Sequence, residues 1–213
     1  MKRFIMSSCG MCCAIPIVIA ILVIAGIGIY FKWESYVRRP EDYAYNCQTN
    51  LQQISLAMFM YNQDYDDKLP PAIFHDKTIG WANGLQPYLK SYSIFQCPAE
   101  KNPPQKTPQP DKPGFTDYWL NSNLSEINPN YIQHREQIVL LGDGDGGSSA
   151  STASYAINHL SASWLQLHDP PMTRHSGGAN YAFADGHVKW LKPDQVSQLP
   201  SSKKHPVYTF STK

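Results

Sequence analysis

Residues 174–191, RHSGGANYAFADGHVKWL, carry the clearest structural signal in this sequence. Tyr181 and Phe183, then Val188 and Trp190, alternate with smaller or polar residues on either side of Asp185-Gly186. A period of two marks a strand. An Asp-Gly pair between two such runs predicts a hairpin with a type I′ turn, because that turn needs positive φ at both central positions. Register then decides burial, since a slip of one residue would send Tyr181, Phe183, Val188 and Trp190 to the wrong face. His175 opens the segment at a glycine-rich bend, where it suits a strut hydrogen-bonded to the returning backbone or to a carboxylate near the turn.

Working back from the hairpin, residues 137–141, QIVLL, read as a short buried strand ended by the turn sequence GDGDGGSS. Residues 118–124 form another candidate strand. Five prolines within residues 101–114 exclude regular structure there and predict an exposed loop. Residues 79–91 read as a short helix or turn-helix, followed by the brief extended stretch IFQCP. Further upstream, Cys47, Leu51, Ile54, Met58, Tyr61 and Tyr65 recur at spacings of 4, 3, 4, 3 and 4. That pattern puts six residues on one face of an amphipathic helix over 41–65, with Pro40 at its start.

The N-terminal part differs in composition. There is no charged residue from Phe4 to Phe31, and residues 14–31, AIPIVIAILVIAGIGIYF, are almost wholly aliphatic. Eighteen residues at ~1.5 Å each reach roughly 27 Å, close to a bilayer core. The expectation is a cytoplasmic segment over 1–13, a transmembrane helix over 14–31 and a head over 32–213. A cleaved secretory signal is the rival reading. Lysine plus arginine number 18 against 17 acidic residues, so the net charge is +1, which excludes a strongly basic nucleic-acid binder.

Of the five cysteines, Cys9, Cys12 and Cys13 precede the apolar run, and Cys47 and Cys97 lie in the body. Two cysteines alone in the body predict a disulfide, with two buried free thiols as the alternative. Asp143 and Asp145, separated by flexible glycines, suit a hard cation such as calcium, or else a solvated turn. His175, Asp185 and His187 could converge with Asp143 and Asp145 on a metal or acid–base cluster. The sequence contains neither an HExxH zinc helix nor a GxSxG nucleophile elbow, and no enzyme activity is expected from it.

His175 is followed by nine residues, Ser176 to Ala184, and then by Asp185-Gly186. This pattern resembles the pseudopilin-like proteins that carry a prepilin-type processing-associated domain. CQTNLQQISLAMFMYNQDYDDKLPPA from Cys47, WANGLQPYLKSYSIFQCP from Trp81, QIVLLGDG from Gln137 and ANYAFADGHVKWLKP from Ala179 fall in the family's order. The departure is at Gly10-Met11, the candidate processing position, where Ile15 stands in place of the family's glutamate.

The resemblance implies a pilin-like α+β fold, in which a membrane helix continues into an amphipathic helix packed on a small antiparallel sheet. It implies a structural subunit of a type II secretion or type IV pilus-like assembly, with other pilin-like or secretion subunits and the membrane as partners. The expected location is a bacterial inner or cytoplasmic membrane, crossed once, with the head outside the cytoplasm or at the cell surface. The alternative is a non-polymerising anchored binding module, with calcium as its candidate cofactor.

Overall fold

The computed structural model describes residues 17, 19–30, 40–75, 79–100, 109–161, 164, 171–197 and 208–210. The chain divides into two compact units, Met1–Arg39 and Pro40–Lys213. In the first, residues 19–30 are helical. Among the described residues no helix is long and apolar enough to cross a membrane. This overturns the transmembrane helix expected over 14–31 and, with it, the single-pass membrane location. Gly10, Met11, Cys9, Cys12 and Cys13 lie outside the described residues.

The second unit opens with α1, Pro40–Asp64, one residue off the expected 41–65. Its buried face is the one set by the 4-3-4-3 spacing: Cys47, Leu51, Ile54 and Met58 are fully buried and Tyr61 nearly so. Tyr65 falls just beyond the helix end, is half exposed and stacks on Tyr61 with centroids 4.2 Å apart. A short helix, α2, covers Trp81–Gly84.

Five strands form the main sheet: β1 Tyr118–Asn121, β2 Val139–Asp143, β3 Ala156–Ile157, β4 Ala179–Phe183 and β5 Val188–Leu191. Their order is β3-β1-β2-β4-β5. The sheet is mixed, since β3 runs parallel to β1 while the other pairs are antiparallel. A separate parallel pair joins β6, Val196–Ser197, to β7, Tyr208–Thr209. The purely antiparallel sheet of the pilin-like expectation is therefore corrected. The cause is the chain after β2, which closes over the start of β1 and lays β3 on its far edge. Phe115 and Thr116 donate backbone N–H groups to the Ser151 carbonyl, and Gly144 N–H donates to the Asp117 carbonyl. Two residues of strand carry no readable alternation, so this return was invisible in the sequence.

Both faces of the sheet are covered. On the α1 side, Leu120, Leu140, Leu141 and Ala182 pack with Leu51, Ile54 and Met58. On the other, Trp119, Val139, Tyr181 and Phe183 pack with Met172 and Phe210. Burial of each large side chain contributes about 1.5–3 kcal/mol. Because Tyr181 pairs with Lys189 and Ala182 with Val188, Tyr181 and Phe183 lie on the face opposite Val188 and Trp190. The sequence reading had placed all four together. It assumed one buried face, whereas every residue of β4 is buried.

The Asp-Gly hairpin exists, with a different turn. Of the pair, only Gly186 has positive φ, at +93°. Gly186 N–H donates to the Phe183 carbonyl, and Phe183 N–H to the His187 carbonyl. This is a three-residue loop in which a turn is followed by one left-handed glycine, not the two-residue type I′ form. A Cβ on Gly186 would also stand 2.9 Å from Phe59 Cε2 of α1. Gly186→Val should therefore lower stability by at least about 1 kcal/mol, and Gly186→Asn by less. Thermal melts of the two variants check this, and an unshifted valine variant would exclude the turn described.

Candidate functional site

The site begins with an irregularity in β2. Val139 pairs with Phe183, but Leu141 pairs with Ala182, so Leu140 is one residue too many on its strand. A bulge of this kind shifts the phase of every side chain after it. Val139 points to the aromatic side; regular alternation would put Leu141 and Asp143 there too. Instead Leu140 and Leu141 both pack on the α1 side. Asp143 follows them, and its carboxylate meets His175, whose ring in turn touches Cys97 of the Cys47–Cys97 disulfide.

His175 Nε2 lies 3.3 Å from Asp143 Oδ2, with the two side chains 1% and 0% exposed. The same nitrogen is 3.5 Å from Cys97 Sγ. Asn180 N–H donates to Asp143 Oδ2 at 2.6 Å, and Trp119 Nε1–H donates to the Asp143 carbonyl at 2.8 Å from the opposite face. The His175 backbone closes the SGG bend: its N–H donates to the Gly178 carbonyl and its carbonyl accepts from Gly178 N–H. Trp190 Nε1–H adds a 2.7 Å bond to that carbonyl. These bonds are made by the His175 main chain, not by its ring. The side chain finds a carboxylate in another strand, not one near the turn.

Cys47 of α1 and Cys97, just after the 3-10 turn Tyr92–Phe95, are disulfide-bonded with Cα atoms 5.3 Å apart. Cys97 N–H donates to Asp117 Oδ2 at 2.7 Å. Burial pushes the Asp117 carboxyl from its ordinary 3.8 up to about 7; the Cys97 N–H and the Arg174 guanidinium pull it down, and Glu100 and Asp143 add to the rise. Arg174 pairs with Glu100 and donates to the Gly144 carbonyl at 2.8 Å. Asp143 Oδ1, His175 Nδ1 and both amide atoms of Asn180 are buried without a protein hydrogen-bond partner.

The titratable residues singled out in the sequence separate into three places. Asp143 and His175 meet in the core. Asp145 is half-buried and accepts the Gly147 N–H in a local turn, while its own N–H donates to Tyr155 OH. Asp185 and His187 pair with each other at the exposed hairpin end, 2.6 Å apart. Among the described residues, a group of three cation-ligating side chains within 4.8 Å of one another is Cys47, Cys97 and His175. Sequence reasoning missed Asp117, Glu100, Arg174 and Asn180. Arg174 and Asn180 sit inside the quoted motif; Asp117 carries no local signal, because its role depends on the position of Cys97.

A His–Asp pair this well sealed orients buried groups, and its side chains do not meet solvent. Set against known proteins, the chain matches no family model, no curated protein and no solved structure.

Two outcomes follow from the geometry. His175→Ala leaves a buried carboxylate without its partner and should cost about 3–5 kcal/mol in chemical denaturation, against little for His187→Ala at the exposed pair. Asp117 gives a pH signature. Its carboxyl binds a proton more tightly when folded, so the stability that Asp117 contributes is fully present below about pH 4 and is lost as pH rises through about 7. Asp117→Asn should flatten that fall, and urea melts across the range would show an unchanged slope if the account were wrong.

Proposed function

We propose that this chain is a pilin-like structural subunit of a type II secretion or type IV pilus-like assembly, working through a surface of α1 and not through an active site. The observation that carries the reading is the outer face of that helix. At 100° per residue, Tyr45, Leu56 and Met60 fall within one narrow sector, opposite the buried stripe. They are 70%, 61% and 41% exposed. Three exposed apolar side chains, set among Thr49, Gln52 and Gln63, give the helix a second surface to cover, and parallel helices of like subunits are the occupant this reading supplies. The burial of His175 and Asp143 supports a motif that maintains the fold. The near-neutral charge supports protein partners over nucleic acid.

A second reading, a non-polymerising binding module, has its own observation. A cleft of about 400 Å³ opens beside the same helix, lined by Gln53, Leu56, Met60, Tyr88, Lys90 and Ile94. A photo-crosslinking residue at Leu56 in the native host separates the two, with Tyr131, 84% exposed, as control position. Assembly predicts a ladder of products containing this chain or pilin-like subunits from Leu56 and none from Tyr131. One discrete adduct with a different partner would favour the binding module, and no Leu56-specific product would remove both.

A further inference from the structure

Cys47, Cys97 and His175 bring two sulfurs and a ring nitrogen within 4.8 Å of one another, all buried. In a tetrahedral zinc site, bonds of about 2.3 Å to sulfur and about 2.0–2.1 Å to nitrogen or oxygen give edges of about 3.6 Å from S to N and about 3.3 Å from N to O. The distances here are 3.5 Å from Cys97 Sγ to His175 Nε2, and 3.3 Å from that nitrogen to Asp143 Oδ2. The Asn180 N–H on Asp143 Oδ2 is the kind of outer hydrogen bond that orients a ligating carboxylate. The oxidised site thus already holds a sulfur-to-nitrogen edge of the tetrahedron, and the S–S bond stands between these three side chains and a ligand set.

We propose that this locus is a redox-gated zinc site: closed by the disulfide when oxidised, and binding Zn²⁺ through Cys47, Cys97 and His175 when reduced, with Asp143, 3.3 Å from the His175 ring nitrogen, as the carboxylate that would move in to complete the set. The chemistry balances. A dithiol gives up two electrons and two protons, becomes a disulfide itself, and leaves Cys47 and Cys97 as thiols. Zinc then displaces those two thiol protons. His175 binds through Nε2 as the Nδ1–H tautomer, with no net proton change. The sulfurs part to about 3.8 Å, the S-to-S edge of such a site. Metal and disulfide are then alternative clasps between α1 and the segment after Phe95, so reduction need not release the helix. This inference does not depend on the assembly reading.

The test uses the full chain carrying Cys9→Ser, Cys12→Ser and Cys13→Ser, so that only Cys47 and Cys97 remain as thiols. It is reduced with a tertiary phosphine, which takes its oxygen from water, and then freed of the phosphine. Cobalt(II) is the probe, with zinc as competitor. The expected result is one metal per chain, the intense visible bands of tetrahedral cobalt with a thiolate charge-transfer band, two protons released on zinc binding, and no such spectrum before reduction. His175→Ala should weaken binding by at least about tenfold, the scale seen even for outer-shell losses. Should that variant not fold, X-ray absorption of the reduced zinc-loaded parent decides, with two sulfurs at about 2.3 Å and at least one nitrogen expected. A weak octahedral cobalt spectrum, binding unaffected by oxidation, or a zinc shell without two sulfurs would overturn the proposal.

Discussion

The extra residue in β2 is the constraint on which the rest of this domain depends. β2 is the central strand, bonded to β1 on one side and β4 on the other, so a phase change in it is felt by the whole sheet. Before Leu140, side chains point as a regular strand would have them; after it, Asp143 is turned under α1. Asp143 then becomes the junction of the two cores. Its carbonyl takes the Trp119 indole from the aromatic side, while its carboxylate takes Asn180 N–H and His175 on the helix side. Without the bulge, the carboxylate would face Trp119 and Tyr181, where an unpaired charge would be very costly.

That junction explains why the histidine of the motif and its Asp-Gly pair are separate devices. The Asp-Gly element ends a hairpin whose turn needs one left-handed glycine close against Phe59. The histidine instead stitches three segments: its backbone holds the glycine bend, its ring meets β2, and the same ring touches the sulfur that ties α1 to the segment after Phe95. Two His–Asp pairs therefore sit in one short stretch with opposite energetics. The exposed Asp185–His187 pair is screened by water and contributes little. The buried Asp143–His175 pair contributes most when one thinks of breaking it, since removing either partner strands the other.

The legible parts of the fold were those with local causes. The stripe on α1 follows from spacing alone, and the structure matches it to within one residue at each end. The disulfide followed from counting two cysteines in an otherwise cysteine-free body. The hairpin was visible, but its turn type was not, because Asp-Gly serves both a type I′ turn and a three-residue loop. The two-faced burial of β4 was misread, since Ala182 and Ala184 look like spacers yet pack under the helix. The meeting of Asp143 with His175 depends on strand order and on the bulge, and neither has a signature in one sequence. The apolar run over 14–31 shows the limit from the other side. Composition there suggested a membrane span, while among the described residues no helix is long and apolar enough to cross one.

A buried His–Asp pair beside a disulfide is not the simplest way to hold a helix on a sheet. The covalent link, which closes a loop of about fifty residues, is worth roughly 2–4 kcal/mol by itself. A well-packed apolar replacement for the His–Asp pair would commonly be as stable or more so. What an apolar replacement could not do is set the chemical environment of the sulfurs. Cys97 receives a ring nitrogen on its Sγ and gives its N–H to Asp117, a carboxyl that burial holds near neutral pH. Both contacts depend on Cys97 staying where the disulfide puts it. The polar cluster is thus better matched to the chemistry of the Cys47–Cys97 bond than to the stability of the fold around it.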